Sequence, residues 1–457
     1  MKRIKKHQSS MLEGPLLPSV IRYTIPIILT SVLQLLFNAA DLVVVGRFCG
    51  SVSVGAVGAT SAVTALIVNL FVGLSIGGGV AVAHGIGSKN EYDTSEAVHT
   101  AVPLALIGGV VLTVVGTALA RPMLVLMGTP EDTLPLSVAY MKLYFCGITF
   151  TMTYNFCAAI LRAAGDTRSP LIFLTSAGVV NVVLNVIFVT VFHMNVAGVA
   201  LATTISQGIA AILVMRALIK RTDACHLDLR KMRINEYQLK KIIRIGLPAG
   251  VQSSMFSISN VIIQSSVNSF GAILVAANAA AANLESFLYS SINAFSQTAV
   301  NFVGQNVGAR QYRRANKTVW ICQGCTLVVG LVLGVLLYVF GETLLGIYIS
   351  DSPEAIQYGI IRFSRVAQFY FLMGVLDVTV GGLRGYGQSF GPMLISVMGI
   401  CGIRVLWVFT IFRIPAFHNP EWLYMSYPIS WTVALVAQII LFFYIRNKYL
   451  CKDIADI

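Results

Sequence analysis

Residues 17–45 read LPSVIRYTIPIILTSVLQLLFNAADLVVV, a run in which the only charges are Arg22 and Asp41. A helix needs about 20 mostly apolar residues to cross the hydrocarbon core of a bilayer. Backbone polar groups in lipid must pair within their own segment, and a barrel strand would show alternating segments of about 10 residues. The run therefore predicts a transmembrane helix. It is too long for the apolar part of a signal peptide, so we expect it to be retained.

Similar apolar runs recur along the chain. Of its 457 residues 56% are hydrophobic and 11% are charged, and the mean hydropathy is +0.78. A soluble domain carries about 25% charged residues, so this chain cannot cover a water-facing surface. We expect an all-α integral membrane protein with twelve transmembrane helices. The predicted spans are 17–45, 53–85, 97–120, 136–163, 170–192, 196–219, 243–270, 276–305, 318–340, 359–384, 391–413 and 425–446.

The net charge of +13 is distributed unevenly between the gaps that separate these spans. Most of the 32 Lys and Arg residues fall in alternate gaps, starting with the N-terminus and including 220–242. Cytoplasmic loops carry such an excess, which predicts a multi-pass protein of the cell inner membrane with both termini cytoplasmic. The asymmetry explains the charge without a nucleic-acid partner.

Three segments of the first half recur in the second half. The matching pairs are IRYTIP at 21–26 with IRIGLP at 243–248, HGIGSK at 84–89 with QNVGAR at 305–310, and LRAAGD at 161–166 with LRGYGQ at 383–388. The offsets are 222, 221 and 222, so the chain is an internal duplication. Each half holds six spans, and an even number makes the two halves parallel repeats.

The repeat predicts three regions. They are an N-terminal six-helix lobe at 1–219, a cytoplasmic linker at 220–242 and a C-terminal six-helix lobe at 243–457. The linker is rich in Arg and Lys, and we expect a short amphipathic helix there.

Parallel repeats of this size are typical of transporters whose halves rock to expose a central site alternately. The sequence contains no GxxxxGK[ST] motif for ATP, so uphill transport must use an ion gradient. A membrane enzyme would need a compact set of catalytic side chains or metal ligands, and none is found, so we expect neither enzyme activity nor a metal site.

Four segments of the chain form a further pattern: FNAADLVVVGR at 37–47, LRAAGDTRSP at 161–170, VGQNVGA at 303–309 and GLRGYG at 382–387. Together they resemble the multidrug and toxic compound extrusion (MATE) transporters, over nearly the whole chain. The resemblance implies a V-shaped pair of six-helix lobes and antiport of drugs against protons or sodium ions.

The chain departs from two branches of that family. One sodium-coupled branch has a glutamate on the seventh helix, where this chain reads SSMFS at 253–257. Other members have an aspartate on the fifth helix at the position of Asn185. The coupling ion therefore stays open between H⁺ and Na⁺, and we expect no other cofactor.

Ionisable side chains inside membrane spans are expensive and are functional candidates by default. Asp41 is the first candidate, because Gln34 and Asn38 precede it on the same helix face. A carboxylate there can take up a proton or bind a cation. The alternative is a hydrogen-bonded carboxylate near the extracellular headgroups.

Asp377 and Glu285 are candidates in the second half. The repeat partner of Asp377 is Asn155, and we expect Arg404 on the following span to form an ion pair with Asp377. Such a pair could equally be structural. Glu285 is expected near the extracellular surface, as a gate residue or a solvated helix end.

Neutral residues complete the predicted site. The ion-coupling set is Asp41, Asp377, Asn38, Gln34, Asn155, Asn181, Asn185 and Arg404. The substrate-binding set is Glu285, Asn260, Gln264, Asn293, Gln297, Asn301, Met255 and Tyr154. Asn and Gln at four-residue steps could line a wet cavity or only bond neighbouring helices. Aromatic and Met side chains could hold a flat cation.

These features favour a monomeric secondary antiporter that exports small amphipathic organic cations. The alternative is a lipid-linked sugar flippase of a related fold. A flippase should have a basic cavity for pyrophosphate, whereas the sequence indicates three acids and one arginine within the spans.

Overall fold

The computed structural model describes residues 11–349 and 352–455, and in these ranges the chain forms helices and no strand. The first half contains α1 (Leu16–Phe48), α2 (Ser51–Gly87), α3 (Glu91–Leu126), α4 (Leu134–Ala163), α5 (Arg168–Thr190) and α6 (Asn195–Ile219). The second half contains α7 (Glu236–Asn268), α8 (Ala272–Gly308), α9 (Tyr312–Val339), α10 (Gly341–Tyr348), α11 (Pro353–Arg365), α12 (Tyr370–Gly385), α13 (Phe390–Ser396), α14 (Ile403–Phe409) and α15 (Pro420–Ala455).

All twelve predicted spans fall on these helices. Within the described ranges, eleven helical segments are long and apolar enough to cross a membrane. The twelfth span lies in α7, which has 33 residues but contains the polar stretch QSSMFSISN at 252–260. These polar residues make α7 less apolar than the eleven segments, although its length suffices for a crossing.

The backbone repeats as the sequence does. Positive φ angles recur at matching positions of the two halves: Gly50 with Gly271, Lys89 with Arg310, and Gly165 with Gly387. The first pair adopts φ 85°, ψ 174° and φ 94°, ψ 176°, a conformation that is essentially restricted to glycine. Each of these glycines precedes a helix of 37 residues, so the predicted duplication is confirmed in three dimensions.

The second half is more irregular than the first. The continuous α4 corresponds to α11 and α12, which a 3₁₀ turn at Ala367–Phe369 separates. The continuous α5 corresponds to α13 and α14, which are joined by a π-helix at Val397–Gly402. Irregular backbone at membrane depth is tolerated where protein or water covers it, and π-helical turns are frequent at functional sites.

The contacts divide the chain into two compact units. One contains Ile25–Gly250, and its core includes the buried rings of Phe145 and Phe156. The other contains Leu12–Thr24 and Val251–Ile457, with Tyr424 in its core. The boundaries therefore lie inside α1 and α7.

Glycines explain why the first part of α7 belongs to the first unit. A Cβ atom on Gly73 of α2 would lie 2.1 Å from the backbone nitrogen of Gly250 of α7. A Cβ atom on Gly77 would lie 2.2 Å from the carbonyl oxygen of Ile242. Small residues let helix backbones approach this closely in membranes. We call this contact between α2 and α7 the glycine seam.

The linker does not form the predicted separate amphipathic helix. Residues 220–235 contain a 3₁₀ turn at Leu229–Lys231, and residues 236–242 are the first turns of α7. The polar groups of the linker bond to α3 instead: the Arg233 Nε donates to Glu96 at 3.2 Å, and the Asp228 N–H donates to the His99 Nε2 at 3.1 Å. These bonds satisfy the linker without a helix of its own.

Candidate functional site

Four side chains from three helices of the first unit form a closed hydrogen-bonded ring. Asp41 lies on α1, Asn181 and Asn185 lie one turn apart on α5, and Thr203 lies on α6. Both asparagines are buried, and Asp41 is half-buried. We call this group the Asp41 ring.

The geometry of the ring is set by neutral donors. The amide nitrogen of Asn185 donates to one carboxylate oxygen of Asp41, and also to the Asn181 Oδ1 at 3.2 Å. The Asn181 Nδ2 donates to the Thr203 Oγ1 at 3.3 Å, and this hydroxyl donates to the second oxygen of Asp41 at 3.4 Å. Each member thus orients the next.

The ring leaves two chemical features open. In the described part of the chain no Lys, Arg or His forms an ion pair with Asp41. The Oδ1 of Asn185 is buried and has no hydrogen-bond partner among the described residues. Such orphaned buried acceptors are rare in proteins and call for an explanation. The ring therefore contains one carboxylate without a cationic partner and one amide oxygen without a donor among the described residues.

A glycine positions Asp41 against α5. Gly178 lies one turn before Asn181, and a Cβ atom on it would lie 1.9 Å from the Phe37 ring. Phe37 in turn lies one turn before Asp41 on α1. The absent side chain therefore lets Phe37 pack directly on α5, which brings the carboxylate to the two asparagines.

The outcome for the first predicted set is mixed. Asp41, Asn181 and Asn185 come together as a group, whereas Gln34 and Asn38 are exposed and form no side-chain hydrogen bond in the described structure. Asn155 is half-buried on α4 and is not part of the Asp41 ring. Thr203 was missed by the sequence reasoning, and only the pairing of α5 with α6 reveals it.

Asp377 lies in a separate polar group of the second unit. The Asn293 Nδ2 donates to the Asp377 Oδ2 at 3.3 Å, and the Gln297 Nε2 donates to the Asn293 Oδ1 at 3.2 Å. The Asn301 Nδ2 continues the ladder by donating to the Gln297 carbonyl at 2.9 Å. The predicted four-residue steps on α8 therefore form one connected chain that ends at Asp377.

The predicted ion pair between Asp377 and Arg404 is wrong. Arg404 is buried, and its guanidinium donates to the Ser430 Oγ and the Asn260 Oδ1, each at 3.3 Å. It also stacks over the Tyr427 ring at 4.0 Å. These neutral partners hold the arginine without a carboxylate.

The predicted solvated position of Glu285 is also wrong, whereas its role as a gate stays a prediction. Glu285 is 1% exposed and forms a bidentate pair with Arg362, with Nε to Oε1 at 3.0 Å and NH2 to Oε2 at 2.7 Å. The third guanidinium nitrogen donates to the Asn278 Oδ1 at 2.7 Å, and the Asn278 Nδ2 donates to the Gln264 Oε1 at 2.9 Å. Tyr370 donates to Glu285 at 3.3 Å. A pair satisfied in this way has no free charge for a substrate.

Two predicted substrate residues lie elsewhere. Tyr154 is buried in the core of the first unit, where its hydroxyl donates to the Pro170 carbonyl at 3.3 Å. Met255 lines a groove on the second unit beside Cys401. Tyr154 is therefore part of a packed core, and its assignment to the substrate site stays a prediction.

The count of charges within the spans needs a correction as well. Arg362 and Arg384 lie inside the segment Pro353–Gly385 and are buried, so the described part of the second unit holds three buried arginines, with Arg404, rather than one. Arg384 donates to the Gln252 Oε1 at 3.0 Å. Arg362 was not counted from the sequence, because a charge near the start of a span suggests a boundary, whereas a paired charge can lie within the span.

Comparisons with known proteins agree with this architecture. The family model for MatE matches residues 26–187 and 248–410, once in each half. The probable multidrug resistance protein YpnP of Bacillus subtilis (strain 168) is 28% identical over 392 residues, which is 86% of this chain and 87% of that protein. A protein of Shewanella oneidensis named FAD transporter is 25% identical and covers 88% of both chains.

A crystal structure of MATE in complex with MaL6 superposes with a TM-score of 0.89 at 22% identity, and covers 97% of this chain and 98% of that one. That likeness confirms the fold of twelve transmembrane helices in two six-helix repeats. With the family model matched in both halves, the chain belongs to the MATE family of multidrug efflux transporters.

Proposed function

We propose that the protein is a secondary active antiporter that exports small amphipathic organic cations in exchange for protons or sodium ions. The observation that carries the proposal is the Asp41 ring, a carboxylate within a membrane span that only neutral side chains hold. An ionised carboxylate is costly at such a site unless a cation neutralises it. Binding and release of that cation would be the coupling step.

The ring suits a single monovalent cation. With Asn185 in place of a second acid, the ring carries one negative charge at most, which one H⁺ or one Na⁺ cancels. A protonated Asp41 can donate to the orphaned Oδ1 of Asn185 once the amide flips, which exchanges its oxygen with the nitrogen that now faces Asp41 and gives up the bond to Asn181. A sodium ion would use the carboxylate, amide and hydroxyl oxygens, because hard cations prefer oxygen ligands.

The remaining parts of the proposal follow from the duplication and the charge pattern. The two halves would expose the site alternately to the two sides of the membrane. Basic residues concentrate in the gaps on the side of the termini, which supports an inner-membrane orientation with both termini cytoplasmic. We propose a monomer, since each chain carries both halves of a transporter.

A vesicle experiment tests the coupling. Everted vesicles are loaded with a fluorescent organic cation, and a proton gradient and a sodium gradient are imposed separately on the wild type, Asp41→Asn and Asp132→Asn. Asp132 lies in an exposed turn and is the matched control. We expect one gradient to drive transport in the wild type and the control, and Asp41→Asn to abolish it. Normal transport by Asp41→Asn, or no transport with either gradient, contradicts the proposal.

The alternative is transport of an anionic compound, including a lipid-linked sugar. Arg404 favours it, because this buried arginine has no carboxylate partner in the described chain. The same vesicles offered a flavin nucleotide or a lipid-linked pyrophosphate decide between the two. Gradient-driven movement of the anion without movement of any organic cation would replace the antiporter proposal.

A further inference from the structure

The π-helix of the second unit lines a groove on the outside of that unit. The groove has a volume of about 530 Å³ and lies between α7 and the segment from α13 to α14. Its floor is Cys401, which is buried and donates to the Met255 carbonyl at 3.4 Å. Its rim includes Met398 and Leu406, which are 66% and 62% exposed.

The lining of the groove is apolar, and its length matches one lipid leaflet. Ser259 is the only lining residue with a side-chain hydroxyl. The helical segment from Val397 to Phe409 rises by about 18 Å at 1.5 Å per residue. One leaflet of the hydrocarbon core is about 15 Å thick, half of about 30 Å. An extended acyl chain therefore fits along the groove.

One end of the groove carries a positive charge at the membrane surface. Phe409 lines the groove, and the Arg413 guanidinium lies 5.4 Å from the centre of its ring. Arg413 is exposed and forms no ion pair in the described structure. Trp407 stacks on Trp422 nearby, and tryptophans are enriched where a membrane meets water.

We propose that this groove retains one acidic phospholipid of the bilayer, with an acyl chain along the π-helix and the phosphate at Arg413. The π-helix shapes the groove because Gly402 within it has no side chain. A Cβ atom there would meet one atom within 4 Å, the carbonyl oxygen of Val397 at 3.8 Å. The site is independent of the Asp41 ring, so the lipid is a bound component rather than the exported substrate.

The test uses the full chain in nanodiscs made from equal parts of phosphatidylglycerol and phosphatidylcholine. After gentle extraction, native mass spectrometry counts the lipids retained by each chain. We expect one retained lipid, with phosphatidylglycerol preferred about fivefold, the factor that corresponds to about 1 kcal/mol for one basic residue. Equal retention of the two lipids contradicts the role of Arg413.

Two variants and their matched controls locate the lipid. Gly402→Leu fills the groove, and Gly324→Leu places the same side chain on an exposed face of α9 where nothing lies within 4 Å. We expect Gly402→Leu to lose the lipid and Gly324→Leu to keep it. Arg413→Gln should keep a lipid but lose the preference for phosphatidylglycerol. Arg121→Gln changes another exposed arginine and should retain both the lipid and the preference.

Several outcomes would overturn the proposal. Retention by Gly402→Leu at the wild-type level, with a wild-type melting temperature, places the lipid elsewhere. If Gly402→Leu melts early, Met398→Trp fills the rim of the groove instead and must show the same loss. Displacement of the retained lipid by an equimolar transported cation would show that the groove holds substrate.

Discussion

Replacing Gly178 by alanine should separate α1 from α5 and inactivate the Asp41 ring. The new Cβ atom would lie 1.9 Å from the Phe37 ring, whereas carbon atoms pack at about 3.5–4.0 Å. The ring of Phe37, or α1 itself, must therefore move by about 2 Å. The contact of Thr203 with Asp41 is already 3.4 Å, so such a movement takes it beyond hydrogen-bond range.

The expected cost comes from overpacking. Forcing a methyl group into a packed site costs about 1–3 kcal/mol. Alanine is otherwise the better helix former, by about 0.8–1.0 kcal/mol. A loss of stability in Gly178→Ala would therefore indicate the clash with Phe37, since helix propensity alone would raise stability. Gly58→Ala on α2 is the control, because nothing lies within 4 Å of that Cβ position.

The assay combines thermal unfolding in detergent with gradient-driven export from vesicles. We expect Gly178→Ala to lower both the melting temperature and the export rate. Gly58→Ala should lower neither of them. The double variant Phe37→Leu, Gly178→Ala has room for the methyl group and should recover stability, with a coupling energy of about 1–2 kcal/mol. Equal melting temperatures and export rates for Gly178→Ala and Gly58→Ala would show that Phe37 does not hold α1 against α5. So would a double variant whose stability loss is the sum of the losses of Phe37→Leu and Gly178→Ala.

Three further predictions concern other parts of the molecule. Arg362→Met should lower the free energy of unfolding by about 3–5 kcal/mol because Glu285 is left buried and unpaired, and adding Glu285→Leu should restore most of the loss; an equally unstable double variant would contradict this. Asp377→Leu should lower the melting temperature more than Asp377→Asn, since only the leucine removes the oxygen that accepts from the Asn293 amide; equal melting would show that this hydrogen bond does not stabilise the fold. Burial raises the pKa of Asp223, but the hydrogen bond and charge of Arg221 outweigh burial and hold this pKa below its ordinary value, and Asp223 accepts from the Cys225 N–H at 3.1 Å. Arg221→Gln should therefore speed maleimide labelling of Cys225 relative to the exposed cysteines. An unchanged labelling rate would show that other contacts hold the turn.

The sequence was sufficient to predict the helices and their duplication, because both depend on local signals. Apolar length predicts a span regardless of what packs against it, and glycines such as Gly50 and Gly271 mark conformations that other residues avoid. Asn185 was also found from sequence, since it lies on the fifth span where a carboxylate would be expected by resemblance.

The partners of each charge could not be predicted in the same way. Asp41 accepts a hydrogen bond from Thr203 of α6 and none from Asn38 of its own helix, and this partner depends on how three helices pack. Arg362 is buried within a predicted span because Glu285 and Asn278 satisfy it, and the residues next to it in the sequence give no sign of these partners. Long-range pairing of polar side chains is a property of the tertiary structure.

The glycine seam bears on how the protein is built as it leaves the ribosome. Gly73 and Gly77 are inserted early, but the backbone that covers them lies at 242–250. A nascent chain that stops after Ile219 therefore presents bare helix backbone to the lipid. We therefore expect the first six helices to complete their packing only when the opening turns of the seventh are inserted, so a fragment that ends at 219 should be less stable than one that ends at 250.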